Sequence, residues 1–268
     1  MRRLGLVLAV VVLAVLVLAA AFPSLLTGAD PNAADLLATL RPPSGDHWFG
    51  TDQNGRDMFA RVVYGTRASL LIGVGAATLA LVGGVLVGTL AAQGGRVGDQ
   101  VVSRLLDVVL SVPGLLLVFL AAAVFGAGGG TAAIGLAIGA VPGFARVVRA
   151  EVMRIRGSHY VEAAYGFGAT RLSVVLRHVV PNAVGPVFAL AMVSLGAMIV
   201  ASSSLSFVGL GPQPPTAEWG AMLAGARDFV SIAWWPTVFP GAAITLTVLA
   251  ATVVGTRLQR AFDRKEAR

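Results

Sequence analysis

The sequence contains no cysteine and a single lysine, Lys265. Without thiols it can form no disulfide and offers no thiolate nucleophile or cysteine-ligated metal. Its three histidines, His47, His159 and His178, show no metal-binding spacing. A phosphate-binding Walker loop needs a lysine on the nucleotide's phosphates, and Lys265 stands in a basic terminal run instead, so ATP hydrolysis by that route is excluded. Charge is also scarce. Asp, Glu, Lys and Arg make up 12% of the 268 residues, against 56% hydrophobic. Soluble domains carry about a quarter charged residues. With a mean hydropathy of +0.82, the chain reads as an all-α integral membrane protein, with room for about six helical spans.

What charge there is has a pattern. The net charge is +7, and all basic residues but Lys265 are arginine. They sit in segments beside apolar runs, which fits the positive-inside distribution of membrane proteins better than a nucleic-acid surface. No nucleic-acid partner is expected; membrane lipid is.

Along the chain, Leu4–Phe22 is an uncharged run of 19 residues. A secretory h-region is usually shorter and is followed by a small-residue cleavage site, so the run is expected to be a retained first span, about 4–22. Residues 1–66 are then this span plus an extracytoplasmic segment rich in turn residues. Within that segment Asp52, Asn54 and Asp57 faintly suggest a calcium loop, but the spacing fails the EF-hand pattern. A turn and a short interfacial helix from Asp57 to Tyr64 is the preferred reading. Residues 67–268 hold five further spans, about 68–93, 106–125, 131–150, 183–208 and 236–257. A short turn, Gly94–Arg104, separates the first two of these. Val108–Ala145 carries no charge over 38 residues, so it is expected to fold as two antiparallel spans joined at the glycine cluster Gly126–Gly130. Trp234 and Trp235 flank the last span as interfacial anchors.

Six spans with both termini in the cytoplasm place 15 basic residues inside and five outside, Arg41, Arg56, Arg61, Arg67 and Arg227. The reverse orientation would invert the rule. The polar segment 151–182 is then a cytoplasmic loop.

No ionisable residue falls at a predicted span centre, which argues against an ion-coupled carrier. Energy must come from a partner, or the chain is a passive channel. In the loop, Tyr160, Val161, Ala164, Phe167, Leu172, Val175 and Leu176 recur at roughly helical spacing. They predict two short amphipathic helices broken at Gly166–Gly168, with Pro181 ending the pair and turning the chain into the fifth span. Small residues there would let a partner surface approach closely. An enzyme reading would rest on His159, Glu162 and His178, a thin set for a nucleophile and base, and the chain is not expected to be an enzyme.

The run EAAYGFG, then nine residues and HVVP, resembles the EAA motif of ATP-binding-cassette (ABC) import permeases, E-A-A-x3-G-x9-I-x-L-P. Glu162, Ala163, Ala164, Gly168 and Pro181 match it, while His178 and Val180 replace the Ile and Leu. GTDQNGRDMFARVVYGTRASL, RAEVMRIRGSHYVEAAYGFGA, SLSFVGLGPQPPTAEWGAML and FPGAAITLTVLA are similar to signatures of the C-type permeases of the dipeptide/oligopeptide/nickel group. The resemblance covers nearly all of the chain from Trp48 onward.

It implies a type I importer permease fold in a bacterial or archaeal cell membrane. The chain would form half of a translocation pathway for peptides or a related small solute, beside a second, homologous permease. Two separate ATPase subunits would bind ATP and Mg, so this chain would hold no cofactor. Tyr160, Glu162, Ala163, Ala164, Gly168 and Pro181 would dock in them, and an extracytoplasmic binding protein would deliver the solute. Glu218 and Trp219, in a Pro/Gly-rich outer loop, are candidate contacts for that protein. The rival reading is a passive channel or ion-coupled secondary carrier.

Overall fold

A computed structural model describes residues 2–266, with the side chains of residues 2–3, 184 and 262–266 left aside. Ala267 and Arg268, the end of the basic tail, lie outside the described residues. The described chain is nearly all helical, and its one β feature is an isolated bridge between Thr51 and Asp57. Ten helices are used below: α1 (Arg2–Ala21), α2 (Met58–Gln93), α3 (Gly95–Ser111), α4 (Gly114–Phe125), α5 (Gly129–Arg156), α6 (His159–Gly166), α7 (Arg171–Val174), α8 (Val180–Phe207), α9 (Trp219–Ala226) and α10 (Trp235–Glu266). Among the described residues, five helices are long and apolar enough to cross a bilayer, or six if the bent α3–α4 pair is one crossing.

α2 is the spine. It is 36 residues long, ~54 Å at 1.5 Å per residue, which exceeds a hydrocarbon core of about 30 Å. Three buried apolar clusters lie along it. Met58 belongs to the first, with Trp219 and Trp235; Ile72 and Ala76 to the second, with Val118 and Leu205; Ala80 and Ala92 to the third, with Val148, Val152 and Val187. Its most extensive packing is against α5, followed by α8. Small residues permit that approach: a Cβ on Gly84 would stand 2.4 Å from the Phe144 Cβ, and one on Gly88 2.5 Å from the Ala145 carbonyl. Lipid tails give helices no hydrophobic reason to associate, so such backbone-level contact is what holds them.

Several sequence expectations need correcting here. A division at 66/67 falls inside α2, because the interfacial helix expected over Asp57–Tyr64 and the second span are one continuous helix. Asp57 caps its start, accepting from the Ala60 amide at 2.8 Å. The expected turn at Gly94–Arg104 is instead the first half of α3, an amphipathic helix. The span expected over 106–125 is not one straight helix: α3 and α4 meet at 88°. Val112 adopts an extended conformation ahead of Pro113, as a residue before proline must. α4 has 12 residues, ~18 Å, and is too short to cross alone. α5 continues to Arg156, so Arg146, Arg149, Arg154 and Arg156 are helical and not in a loop.

Pro181 does not end a helix pair. α7 runs into α8 through a π turn over Val175–Val179, in which the Val180 amide donates to the Val175 carbonyl. The wider turn relieves the clash that a proline ring makes with the preceding turn, and the helix carries on. Trp234 and Trp235 divide: Trp234 is exposed, whereas Trp235 is buried and donates through Nε1 to the Thr51 carbonyl at 3.0 Å.

Gly84→Ala is expected to destabilise the protein by about 1–3 kcal/mol, the usual cost of overpacking. Gly143→Ala, where an added Cβ meets nothing within 4 Å, should be near neutral. Thermal unfolding in detergent tests this; equal midpoints for the two variants would show that α2 and α5 do not meet as described.

Candidate functional site

Two regions hold the candidate residues read from the sequence. The first is the turn between α5 and α8. Arg156 reaches back from the end of α5 to the Ala92 carbonyl at the end of α2, and Ser158 follows, its hydroxyl donating to the Ile155 carbonyl at 2.5 Å. α6 then starts. It is anchored by one side chain: Val161 is fully buried in the cluster formed by Val152, Ile155, Val174 and Val179. With that face committed, the opposite face is presented outward. Tyr160, Glu162, Ala163 and Tyr165 are exposed and Ala164 is half-buried. Glu162 stands 3.6 Å from the exposed His159 ring.

The exit from α6 is built by the backbone. The Phe167 amide donates to the Ala163 carbonyl, Gly168 to Tyr165 and Ala169 to Ala164. Gly168 takes φ +82°, a left-handed conformation that glycine adopts without steric cost and other residues do not. Thr170 caps α7, accepting from the Ser173 amide. This tight reversal leaves Phe167 at 92% exposure, with Leu172 at 68% and Leu176 at 59%. These three exposed apolar side chains fall within one short segment, 167–176.

The structure thus brings Tyr160, Glu162, Ala163, Ala164 and Gly168 into one small platform. Pro181 is not part of it; it lies exposed within the long α7–α8 helix. His178 sits in the π turn, on a different element from His159 and Glu162. Phe167, the platform's most exposed large apolar side chain, is visible in sequence only as one apolar position among several.

The second region is the other end of the bundle, around the start of α2 and α9. Glu218 and Trp219 are both fully buried, so neither is available as the surface contact expected of it. The Glu218 carboxylate caps α9, accepting from the Gly220 amide at 3.0 Å and the Ala221 amide at 2.8 Å, and also accepts from the Ser69 hydroxyl of α2 at 3.0 Å. The Trp219 amide donates to that same hydroxyl, and its Nε1 donates to the Val62 carbonyl. These residues fasten α9 to α2. Their dense partners explain how a carboxylate is tolerated there. The suspected calcium residues are likewise committed. Asp52 Oδ1 accepts from the Asn54 and Arg56 amides at 2.8 and 2.9 Å, Asp57 caps α2 and meets His47 Nδ1 at 2.9 Å, and among the described residues no cluster of three or more His, Asp or Glu could hold a metal ion.

With this geometry in hand, comparison with known proteins is decisive for the family. Residues 84–268 match the sequence profile of the binding-protein-dependent transport system inner membrane component. The chain belongs to that family. It is 38% identical over 255 residues to the probable D,D-dipeptide transport system permease protein DdpC of Escherichia coli (strain K12), covering 95% of this chain and 86% of the relative. It is also 38% identical over 223 residues to the glutathione transport system permease protein GsiD of Pectobacterium atrosepticum, covering 83% and 74% of the two chains. Among solved structures, the inward-facing MetNI methionine ABC transporter contains a chain that superposes with a TM-score of 0.61 at 21% identity, covering 76% of this chain and 97% of that one. The fold is therefore that of a multi-pass transport permease. The platform lies inside the region matched to the family.

Glu218→Ala is expected to lower stability by about 1–3 kcal/mol, because it strands the Ser69 hydroxyl and two α9 amides in a buried setting. Glu218→Gln, which keeps an acceptor oxygen, should cost less. Ser69→Ala combined with Glu218→Ala should cost less than the sum of the two, since the residues share one network. Strict additivity in denaturation midpoints would show that the network does not join α2 to α9.

Proposed function

We propose that this chain is the permease subunit of an ATP-driven importer of short peptides, forming half of the translocation pathway beside a second permease. The observation that carries the coupling reading is the α6 platform: an exposed Phe167–Tyr160–Leu172 surface on a rigid turn, fixed from beneath by Val161. Such a surface suits the groove of a separate ATPase subunit. Each copy of the ATPase would hold ATP and Mg and move the platform as it closes, a rigid-body transmission of a familiar kind. The chain's own lack of a Walker lysine supports a division of labour in which the fuel is burned elsewhere. The relatives' names supply the solute class, since D,D-dipeptides and glutathione are both short peptides. The exposed apolar row on α4, Leu115, Leu116, Phe119 and Leu120, is suited to the second permease or to lipid. An extracytoplasmic binding protein would meet the opposite end.

Orientation follows from charge. With both termini cytoplasmic, the platform faces the ATPases and the segment 23–57 faces outside. The chain has no native cysteine, so single-cysteine labelling is clean. Leu37→Cys, at an 88% exposed position, should react with a membrane-impermeant maleimide in intact cells. Phe167→Cys should react only after permeabilisation. The reverse pattern would overturn the topology.

Coupling has its own test. Glu162→Ala and Phe167→Ala change exposed side chains, so both proteins should insert and fold normally. Peptide uptake should fall about tenfold or more, as expected when a central contact of an interface is truncated. Gly168→Leu adds backbone strain of about 1–2 kcal/mol at a left-handed residue and should uncouple ATP hydrolysis from uptake. Normal uptake in all three variants would remove the platform from the mechanism.

A further inference from the structure

The outer end of the bundle holds a partly open cavity of about 370 Å³ between the 52–61 segment, the end of α8 with its following loop, and α9. Its volume lies in the range of small-molecule sites. Arg61 is a strut in its wall. Its Nη1 donates to the Pro31 carbonyl at 2.9 Å, and its Nε lies 3.4 Å from Asp52 Oδ2. Asp52 is thereby fully engaged, by Arg61 on one oxygen and by two backbone amides on the other.

Arg56 lines the same cavity and is left over. Asp52, Arg56 and Arg61 are the charged residues of the lining, so one positive charge is uncompensated. Among the described residues the Arg56 guanidinium has no hydrogen-bond or ion-pair partner, and its Nε is shielded from solvent. The Ser206 hydroxyl, on a residue 3% exposed in the same wall, is also without a partner. The side-chain amides of Gln53 and Asn54 are free as well, and Gln213 donates to the Gly209 and Gly211 carbonyls at 3.0 and 3.1 Å, leaving its own carbonyl oxygen available. The Arg56 Nε is shielded with no acceptor, and a carboxylate is the natural complement of a guanidinium edge, with two parallel N–H···O bonds. Amide groups around it match the donors and acceptors of a peptide bond.

We propose that this cavity is a binding site for the carboxylate of a small solute at the outer mouth of the permease, with Arg56 as the anion anchor and Gln53, Asn54 and Gln213 around it. The expected ligand, the free C-terminus of a short peptide, rests on the importer reading above. A concave cavity of this size favours a small solute over an acidic side chain on a docking protein, which needs a broad surface.

The test uses the assembled transporter in nanodiscs, without nucleotide or binding protein, and saturation-transfer NMR. The probes are L-alanyl-L-alanine, its C-terminal amide and L-alanine. The acid should give a signal, and the amide should bind about tenfold more weakly, the loss of roughly one charge-assisted hydrogen bond. Arg56→Gln should abolish the discrimination and Arg56→Lys should retain part of it. The Arg56 side chain makes no bond in the fold, so these variants should keep the wild-type melting temperature. Equal binding of acid and amide, or an unchanged signal in Arg56→Gln, overturns the site. So does a result in which Arg56→Gln weakens only binding-protein capture and no small solute binds. Dipeptide uptake by cells separates the two readings. Absent uptake with Arg56-dependent binding of L-alanine leaves the carboxylate site standing and removes the peptide importer. Normal uptake with no Arg56 dependence removes the site alone.

Discussion

The close approach of α2 to α5 is the constraint on which the other contacts depend. In lipid the helices gain little from mutual burial of apolar surface, so their distance is set by what stands between the backbones. At Gly84 and Gly88 nothing does. Because α2 passes through all three core clusters, that one apposition sets the register of the whole bundle. Its two ends are then pinned by polar contacts. Near its start, Ser69 meets Glu218, and Arg61 meets the Pro31 carbonyl and Asp52. At its far end, the Ala92 carbonyl accepts from Arg156. Both candidate regions are therefore referenced to one rod.

This arrangement separates residues that hold a site from those that use it. In α6 one turn contains both kinds: Val161 disappears into the core, while Tyr160 and Glu162 on either side of it are presented. The sequence motif mixes them, because glutamate, alanine and glycine are spaced by helical geometry and turn chemistry together. At the opposite end the same division runs the other way. Glu218 and Trp219 look like surface recognition residues in sequence, yet both are structural. Arg56, four residues after the heavily engaged Asp52, has no hydrogen-bond or ion-pair partner for its side chain among the described residues.

What could be read from the sequence was what local physics decides. Long uncharged runs gave helices, the glycine cluster at 126–130 gave a reversal, and Gly166–Gly168 gave a break, since hydropathy and backbone freedom act over a few residues. What escaped reading depends on distant partners. Arg61 and Arg67 made the start of α2 look like a separate interfacial helix, because the carbonyl of Pro31 and the carboxylate of Asp52 that receive Arg61 are not visible in a linear pattern. α3 looked like a turn because its charges were counted without Arg149, 50 residues away, which pairs bidentately with Asp99, or Arg146, which pairs with Asp107 at 2.6 Å. Pro181 read as a stop, which it would be in a regular α-helix; a π turn just before it changes the outcome. The burial of Glu218 had no signal at all, since an acid before Trp-Gly is equally a cap or a surface group.

The π turn matters beyond the correction. Had the chain broken at Pro181, the platform would hang on a hinge. Instead Arg171–Phe207 is one helix, ~55 Å from end to end. It begins beside Phe167 and ends at Ser206 and Phe207, which line the outer cavity. Between them Val187 and Leu205 are packed into separate core clusters, so the helix cannot bend freely without disturbing both. A push on the platform would then be resisted along the whole rod or carried by it as a unit, and the small-residue contacts of α8 with α10, at Gly196 and Gly255, are where such a unit would slide. Continuity of this one helix joins the surface that would receive mechanical work to the cavity that would receive solute.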